Sequence, residues 1–556
     1  MYKNYNMNQL IMPLDTRILF GDKDLCVIIH NLVESIPDSE YLNYYSSRGA
    51  SSYHPKMMLK IILYSYTQSV FSGRRIEASL NDSIRMMWLA QEQRPSYRTI
   101  NRFRVHPVMD TLLKNLYTGF RAQLTENNLI EEDAIFIDGT KIEADANKYS
   151  FVWKKTVLNN KSKAEKRAQL IYEEFYENEI IAEIREEMDE DFTIESLVYV
   201  EEALSEEIED LTQEIVQSDD TERRKALRKE RTPLKAKQKE IRTILDRNEK
   251  YKEQLKILGE RNSYSKTDHD AVFMRMKDDH MRNGQLKAGY NIQIATNNQF
   301  VLAYDVYPNP ADTKTLIPFL NTYRELYDKL PLYIVADAGY GSESNYEALI
   351  DDLQVIPLIP FNTYIKEQTS RYRKDLFNTS NWKYDELDDT FICPENHPLP
   401  FKGYSTRRTG DKEQVSKVYQ CDMCQDCPLR SQCISAQATG YKKIYRNNNL
   451  EFFKNYTREK LSDEATGSIY ARRKIDVEPV FGYLKAILGF TRMSVRGAAK
   501  VKREIGIALM AVNVRKMATV GSQLICKNNK KTKKNVKHTF FFVFFYKLEL
   551  LMSQTL

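Results

Sequence analysis

The sequence predicts an α/β protein: a mixed β-sheet carrying acidic residues, preceded by a helical domain and interrupted by two insertions. Three observations predict it. Apolar, strand-like runs lead into Asp138 in Phe136-Ile137-Asp138-Gly139-Thr140 and into Asp337 in Val335-Ala336-Asp337-Ala338-Gly339-Tyr340. A helical stretch, Asp476-Val477-Glu478-Pro479-Val480-Phe481-Gly482, carries a third carboxylate at Glu478. Between them lie a charged stretch without glycine and a stretch rich in cysteine. Two aspartates and a glutamate, brought together, make an all-oxygen site for paired Mg²⁺ ions, a site that cuts and joins phosphodiesters. DNA is therefore the first substrate to consider.

A chain of 556 residues is expected to form several units rather than one core. Its composition, 42% hydrophobic and 29% charged, is globular, and a net charge of +5 says little about partners. The distribution of charge says more, because acidic and basic segments are segregated. The first twenty residues lack the apolar core of a signal peptide, and no run reaches the roughly 18 apolar residues of a membrane span. A cytoplasmic protein without membrane association is expected.

Residues 15–125 are expected to form a helical N-terminal domain. Residues 56–66 are apolar with helical period, and Pro55 stands where a helix can start. Further helices are expected over 75–84 and 86–91. Ser96 is an N-cap candidate for Tyr97-Arg98-Thr99-Ile100-Asn101-Arg102-Phe103-Arg104. There Ile100 and Phe103 face a core while Arg98, Asn101, Arg102 and Arg104 point outward. Short helices ending in an Arg-rich one fit a helix-turn-helix-like DNA reader; they also fit an ordinary helical domain with a solvated basic face.

A buried strand over 133–138 opens the sheet, within a first core segment at 130–154. Residues 155–262 form the charged insertion. Leu197, Leu204, Ile208, Leu211 and Ile215 fall near heptad spacing, as do Leu227, Leu234 and Ile241. Residues 201–216 hold seven acidic and no basic side chains; residues 222–242 hold ten basic against three acidic. Ser218-Asp219-Asp220 is a natural turn between the arms, so an antiparallel hairpin is expected. Pro233 should kink or interrupt the second arm. A loosely ordered charged linker is the alternative.

Strand signals return in a second core segment, 263–360. Residues 289–295 and 300–306 read as a hairpin, 312–330 as a helix, 332–336 as a strand ending at Asp337, and 355–359 as another strand. The order strand, strand, strand, helix, strand, helix, strand is that of a ribonuclease-H-like core with a helical insertion after its first strand. The cysteine-rich insertion spans 361–470. The glutamate helix and C-terminal helices span 471–520, and 521–556 form a basic, then apolar tail expected to be disordered. Glu478 and Lys485, seven residues apart, fall on one helical face, where a metal ligand and a phosphate-binding lysine serve one site.

Taken together these motifs resemble the DDE transposases of bacterial insertion sequences. Phe136-Ile137-Asp138-Gly139-Thr140-Lys141 is similar to the first-aspartate motif and Ala336-Asp337-Ala338-Gly339-Tyr340 to the second. Val477-Glu478-Pro479-Val480-Phe481-Gly482-Tyr483-Leu484-Lys485 is similar to the glutamate motif with its trailing lysine. Thr267-Asp268-His269-Asp270-Ala271 and Gly289-Tyr290-Asn291 also resemble family blocks. Upstream of the glutamate the pattern departs: Tyr470 is present, but Lys474 stands where an arginine is expected, with Arg473 beside it. Lysine keeps the charge without the bidentate grip, so the role of that position stays open.

The resemblance implies that Asp138, Asp337 and Glu478 hold two Mg²⁺ (or Mn²⁺) ions and that Lys485 assists them. It implies a transposase that binds its own element's ends, cleaves them and joins the 3′-hydroxyl to target DNA. Double-stranded DNA would be the partner, a homodimer or larger assembly the working form, and the bacterial nucleoid its location. Alternatives are a metal-dependent nuclease without strand transfer, or an inert DNA-binding repressor from a decayed element.

Of seven cysteines, Cys421, Cys424, Cys427 and Cys433 fall within thirteen residues, a spacing that suggests a structural Zn²⁺ site. Cys393 and His397 are extra or alternative ligands, and an iron–sulfur run or unligated thiols also fit. Arg492 and Arg496, with Lys500, Lys502 and Arg503, are candidates to line a DNA channel.

Overall fold

Residues 134–143, 286–297 and 300–307 form strands that are buried along most of their length, on both faces, as strands covered on either side must be. The computed structural model describes residues 20–39, 52–177, 193–276, 284–409, 412–435 and 440–531. The helices α1 (Leu25–Glu34), α2 (Pro55–Thr67), α3 (Gly73–Asp82), α4 (Ile84–Ala90), α5 (Tyr97–Arg104) and α6 (Val108–Glu126) come first. Ser96 caps α5 as expected, its Oγ accepting from the Thr99 amide at 3.4 Å.

Strand β1 (Ala134–Glu143) is central. After β2 (Phe151–Trp153) come three helices, α7 (Lys154–Glu177), α8 (Ser196–Gln217) and α9 (Thr221–Leu258). Then follow β3 (Ser263–Ser265), β4 (Val272–Arg275), β5 (Leu286–Asn297), β6 (Phe300–Tyr307), α10 (Leu316–Tyr327), β7 (Tyr333–Val335) and β8 (Ile356–Leu358). β5 lies antiparallel on one side of β1 and β7 lies parallel on the other. β6 pairs antiparallel with β5, and β8 pairs parallel with β7, so the main path runs β6-β5-β1-β7-β8. β4 pairs with the early part of β5. The β5–β6 hairpin turns at Asn298 and Gln299, both with positive φ (49° and 62°), the primed geometry that suits strand twist.

Strand β1 does not end at Asp138. It runs on to Glu143 because Gly139, Thr140 and Lys141 keep pairing with Gln293, Ile292 and Asn291. The charged insertion is a three-helix unit, not a hairpin alone. Ala168, Ile171 and Phe175 of α7 join Leu197, Val200 and Leu204 of α8 and Ile241 and Ile244 of α9 in one core. Opposite charges meet across it, as in Arg242–Glu201 (2.6 Å) and Arg167–Glu240 (2.7 Å). Asp220 caps α9, accepting from the Glu222 amide at 3.0 Å. Pro233 does not interrupt α9, which is helical on both sides of it; packing of α9 against α7 and α8 overrides the local break.

Residues 383–446 hold a second sheet in the order β13-β12-β11-β10-β9, made of β9 (Lys383–Asp385), β10 (Thr390–Ile392), β11 (Pro398–Thr409), β12 (Lys412–Gln420) and β13 (Lys443–Arg446). The short α11 (Arg430–Cys433) precedes β13; α12 (Asn448–Ser462), α13 (Glu464–Ala471), α14 (Arg473–Gly482) and α15 (Ala498–Lys531) follow. The backbone of α15 runs into the stretch expected to lack structure; residues 532–556 lie outside the described residues.

Helices α1 to α6 share one core with the sheet and α15. Phe120 of α6 packs edge-on to Phe300 of β6, and Tyr117 lies beside Tyr304. Where α15 crosses β6 the approach is too close for a side chain, since a Cβ on Gly506 would stand 2.0 Å from the Tyr304 hydroxyl. Within this core Glu504 is fully buried and meets Arg104 at 3.6 Å. The aspartates of Thr267-Asp268-His269-Asp270 cap α15: Asp268 accepts from Gly497 N (3.1 Å) and Asp270 from Ala498 N (2.8 Å). Tyr290 donates to Asp268 at 2.7 Å, tying the cap to β5.

Candidate active site

Phe136 of β1 pairs with Val335 of β7, so Asp138 and Asp337, each two residues further on, stand level and point to one face. The backbone at Asp337 is still extended (φ −84°, ψ 174°), which carries the alternation past the end of β7. Neighbouring strands lie roughly 5 Å apart. Each aspartate is oriented by a following glycine: Gly139 N donates to Asp138 Oδ1 at 2.7 Å, and Gly339 N to Asp337 Oδ1 at 2.8 Å.

Beneath Gly139 lies a further carboxylate, Asp312. Its Oδ1 accepts from Asn291 (2.7 Å) and Gln293 (2.9 Å), and the Tyr340 hydroxyl donates to Gln293 Oε1. Burial, and then the charges of Asp312, Asp138 and Asp337, hold the Tyr340 hydroxyl far above its ordinary pKa. Sequence reasoning did not single out Asp312: its Pro-Ala-Asp-Thr setting reads as the start of a helix, which it also is.

Helix α14 lies across β1 and β5. Val477, Val480 and Phe481 are buried, and Asp476 accepts from the Thr296 hydroxyl (2.6 Å) and the Gln299 amide (3.1 Å). Burial raises the Asp476 pKa. One turn earlier, Arg473 reaches Asp138 Oδ2 at 3.7 Å, with both side chains largely buried. Tyr470 bonds to Arg473 and senses Asp337; burial is the main cause of its raised pKa. Lys474 is exposed. Arg473, rather than Lys474, is the cation that stands beside Asp138.

Glu478 is exposed on the flank of α14, and among the described residues its carboxylate has no hydrogen-bond or ion-pair partner. Lys485 lies in a π-helical turn (Tyr483–Ile487), so the simple seven-residue spacing to Glu478 does not hold. The structure therefore brings Asp138 and Asp337 together and lays the helix of Glu478 beside them. It does not gather all three: among the described residues no three His, Cys, Asp or Glu side chains converge to hold a metal. The oxygen-only donors, each aspartate anchored by one amide, suit a hard divalent cation in kind.

Arg98 and Arg102 are exposed on α5. Arg104, expected to point outward, is instead 5% exposed; its guanidinium serves Tyr66 Oη (3.0 Å), the Phe71 carbonyl (2.6 Å) and Glu504. It is a core residue because Glu504 would otherwise be a buried unpaired charge. Arg503, paired with Asp110 at 2.6 Å, is likewise buried. Arg492 and Arg496 remain half exposed and share Asp145, at 3.3 and 2.9 Å. In the second sheet Cys393, His397, Cys421, Cys424, Cys427 and Cys433 line one pocket.

Residues 392–518 match a family described as Transposase DDE domain, and residues 15–106 match one described as Transposase domain (DUF772). The chain is accordingly a transposase. With the DDE class named by the longer match, which contains Glu478, the two matches support a DDE transposase of an insertion element. The strands bearing Asp138 and Asp337 lie outside both matches. No curated protein and no solved structure matches the chain. No helix among the described residues is long and apolar enough to cross a membrane.

Proposed function

We propose that this transposase binds the ends of its own insertion sequence, cleaves them by metal-assisted hydrolysis and joins the freed 3′-hydroxyl to target DNA. The observation that carries the reading is the level placement of Asp138 and Asp337 on adjacent parallel strands, with α14 laid across β1. The sheet order, three antiparallel strands followed by two parallel ones, supports a ribonuclease-H-like core.

Asp138, Asp337 and Glu478 would hold Mg²⁺ or Mn²⁺, which when bound activates the attacking oxygen and stabilises the leaving one. The residues of the chain do the rest. The Gly139 and Gly339 amides fix one oxygen of each aspartate. Arg473 balances the charge of Asp138 and keeps it turned toward α14. A swing of the exposed Glu478 side chain brings the third carboxylate, and Lys485 on its π turn takes a DNA phosphate. Arg98 and Arg102 on one side, and Arg492 and Arg496 on the other, supply phosphate contacts that position DNA without reading sequence. Two element ends must be processed together, so the working form is a dimer or larger.

The test is a cleavage and strand-joining assay with Mg²⁺ on DNA carrying the flanks of its own gene. Asp138→Ala, Asp337→Ala and Glu478→Ala should each abolish both steps while leaving end binding intact. Cleavage that survives all three substitutions would overturn the reading; cleavage without joining would leave a nuclease.

A further inference from the structure

We propose that Asp312 is a positioning residue for DNA cleavage: its carboxylate sets the spacing of the backbone segments that aim Asp138 and Asp337. The proposal rests on the assignment of those two aspartates to the metal site.

Asp312 opens the single turn Asp312–Lys314 and stands between the two glycines that orient the aspartates. A Cβ on Gly139 would lie 2.8 Å from Asp312 Oδ1, and one on Gly339 would lie 3.8 Å from Oδ2. The same two glycines give their amides to Asp138 and Asp337. One carboxylate thus fills the gap between the backbones that aim the pair, and at Gly139 the approach leaves no room for a side chain. The carboxylate is itself held from β5, where Asn291 and Gln293, both buried, donate to Oδ1 at 2.7 and 2.9 Å. Asn291 also reaches the Asn309 carbonyl at 3.0 Å, which fixes the chain entering the turn. On its other side the turn is fastened to the turn Ala338–Tyr340 that follows Asp337. The Thr313 hydroxyl donates to the Gly339 carbonyl at 3.0 Å, and the Asn345 side chain donates to the carbonyls of Thr313 (2.9 Å) and Tyr340 (2.8 Å). The buried Tyr340 hydroxyl closes the ring by donating to Gln293.

Gly139 pairs with Gln293, and neighbours along a strand alternate, so both face the side of the sheet away from Asp138. Asp312 therefore acts on the aspartates from behind, through the backbone, and its Oδ1 is engaged by two amides rather than turned toward a cation. A misplacement of about 1 Å between reacting groups can cost on the order of a hundredfold in rate. Mg²⁺ demands near-ideal octahedral geometry and feels such a shift more than the larger Mn²⁺ does.

The experiment measures single-turnover cleavage of element-end DNA by the full chain, in saturating Mg²⁺ and in saturating Mn²⁺. Mn²⁺ binding without DNA is followed by electron paramagnetic resonance. Asp312→Ala should cut the Mg²⁺ rate about a hundredfold, cut the Mn²⁺ rate far less, and weaken Mn²⁺ binding. Asp312→Asn keeps an oxygen that can accept from both amides, so it should stay within about tenfold of wild type and bind Mn²⁺ normally. Thr313→Val, which removes only the bond to the Gly339 carbonyl, should show a smaller loss with the same bias against Mg²⁺, and carries the test if Asp312→Ala does not fold. Equal losses in both metals would reduce Asp312 to a structural residue, and Asp312→Asn as slow as Asp312→Ala would give the role to its charge; either overturns the proposal. Unaltered Mn²⁺ binding in Asp312→Ala overturns it even where no cleavage is seen. Asp138→Ala and Asp337→Ala, run alongside, separate the two readings. If they are inactive while Asp312→Ala and Thr313→Val match wild type, only the positioning role falls. If they cleave like wild type, the metal-site reading falls and the positioning role with it.

Discussion

Arg473 reaches from α14 to Asp138 of β1, its guanidinium 3.7 Å from the carboxylate. The contact fixes the helix of Glu478 against the strand of the first aspartate, and it singles out Arg473 over its neighbour Lys474. Arg473→Ala should slow DNA cleavage roughly a hundredfold, the scale of removing one preorganised charge from a catalytic site. Lys474→Ala should leave the rate near wild type. Single-turnover cleavage rates decide; equal losses in both variants would remove the distinction.

The buried pair of Glu504 and Arg104 should behave as a structural lock. Glu504→Ala leaves Arg104 charged and unpaired in the core, which costs about 3–5 kcal/mol. Denaturant unfolding of both variants measures it. If Arg104 were instead a DNA contact, Arg104→Ala would weaken binding without lowering stability.

Lys516 should give stability a dependence on alkaline pH. Its ammonium, set over the Phe300 ring at 4.8 Å, is lowered by burial from the ordinary 10.5 to about 8, with Asp476 partly opposing. Between those values the unfolded chain holds the proton and the folded chain does not, so this group's contribution to stability rises with pH across the window. Lys516→Met should flatten that rise. Unfolding midpoints of wild type and variant at either end of the window test it, and parallel curves would disprove it.

Gly139→Ala should damage both packing and chemistry. The added Cβ would stand 2.4 Å from Gln293 Nε2 and 2.8 Å from Asp312 Oδ1. Pushing that network aside costs about 1–3 kcal/mol and shifts Asp138, which Gly139 orients. A lowered unfolding midpoint together with reduced cleavage is expected; an unchanged midpoint would show that the network yields freely.

The periodic parts of this chain were the readable ones. Alternation over 289–306 marks the hairpin, and the capping serine before Tyr97 marks α5, because both signals are local. The apolar runs leading into Asp138 and Asp337 were legible for the same reason, although β1 continues past Asp138 to Glu143. Arg104 was misread because α5 shows only that it leaves the Ile100 face; its partner Glu504 is hundreds of residues away. Pro233 was misread because tertiary packing of α9 outweighs the local break. Asp312 was invisible, since its partners Asn291 and Gln293 lie on a strand that it meets only in the fold.

The buried cluster of Glu504, Arg104 and Tyr66 has consequences for how the protein is made. Tyr66, whose hydroxyl donates to Glu504, precedes it by 438 residues. During synthesis the first helices therefore emerge with a buried-to-be guanidinium and no counter-ion, and wait for nearly the whole polypeptide before their core can close. A gene copy cut short by a stop codon ahead of Glu504 would leave Arg104 without its buried counter-ion and the core that the first helices share with α15 open.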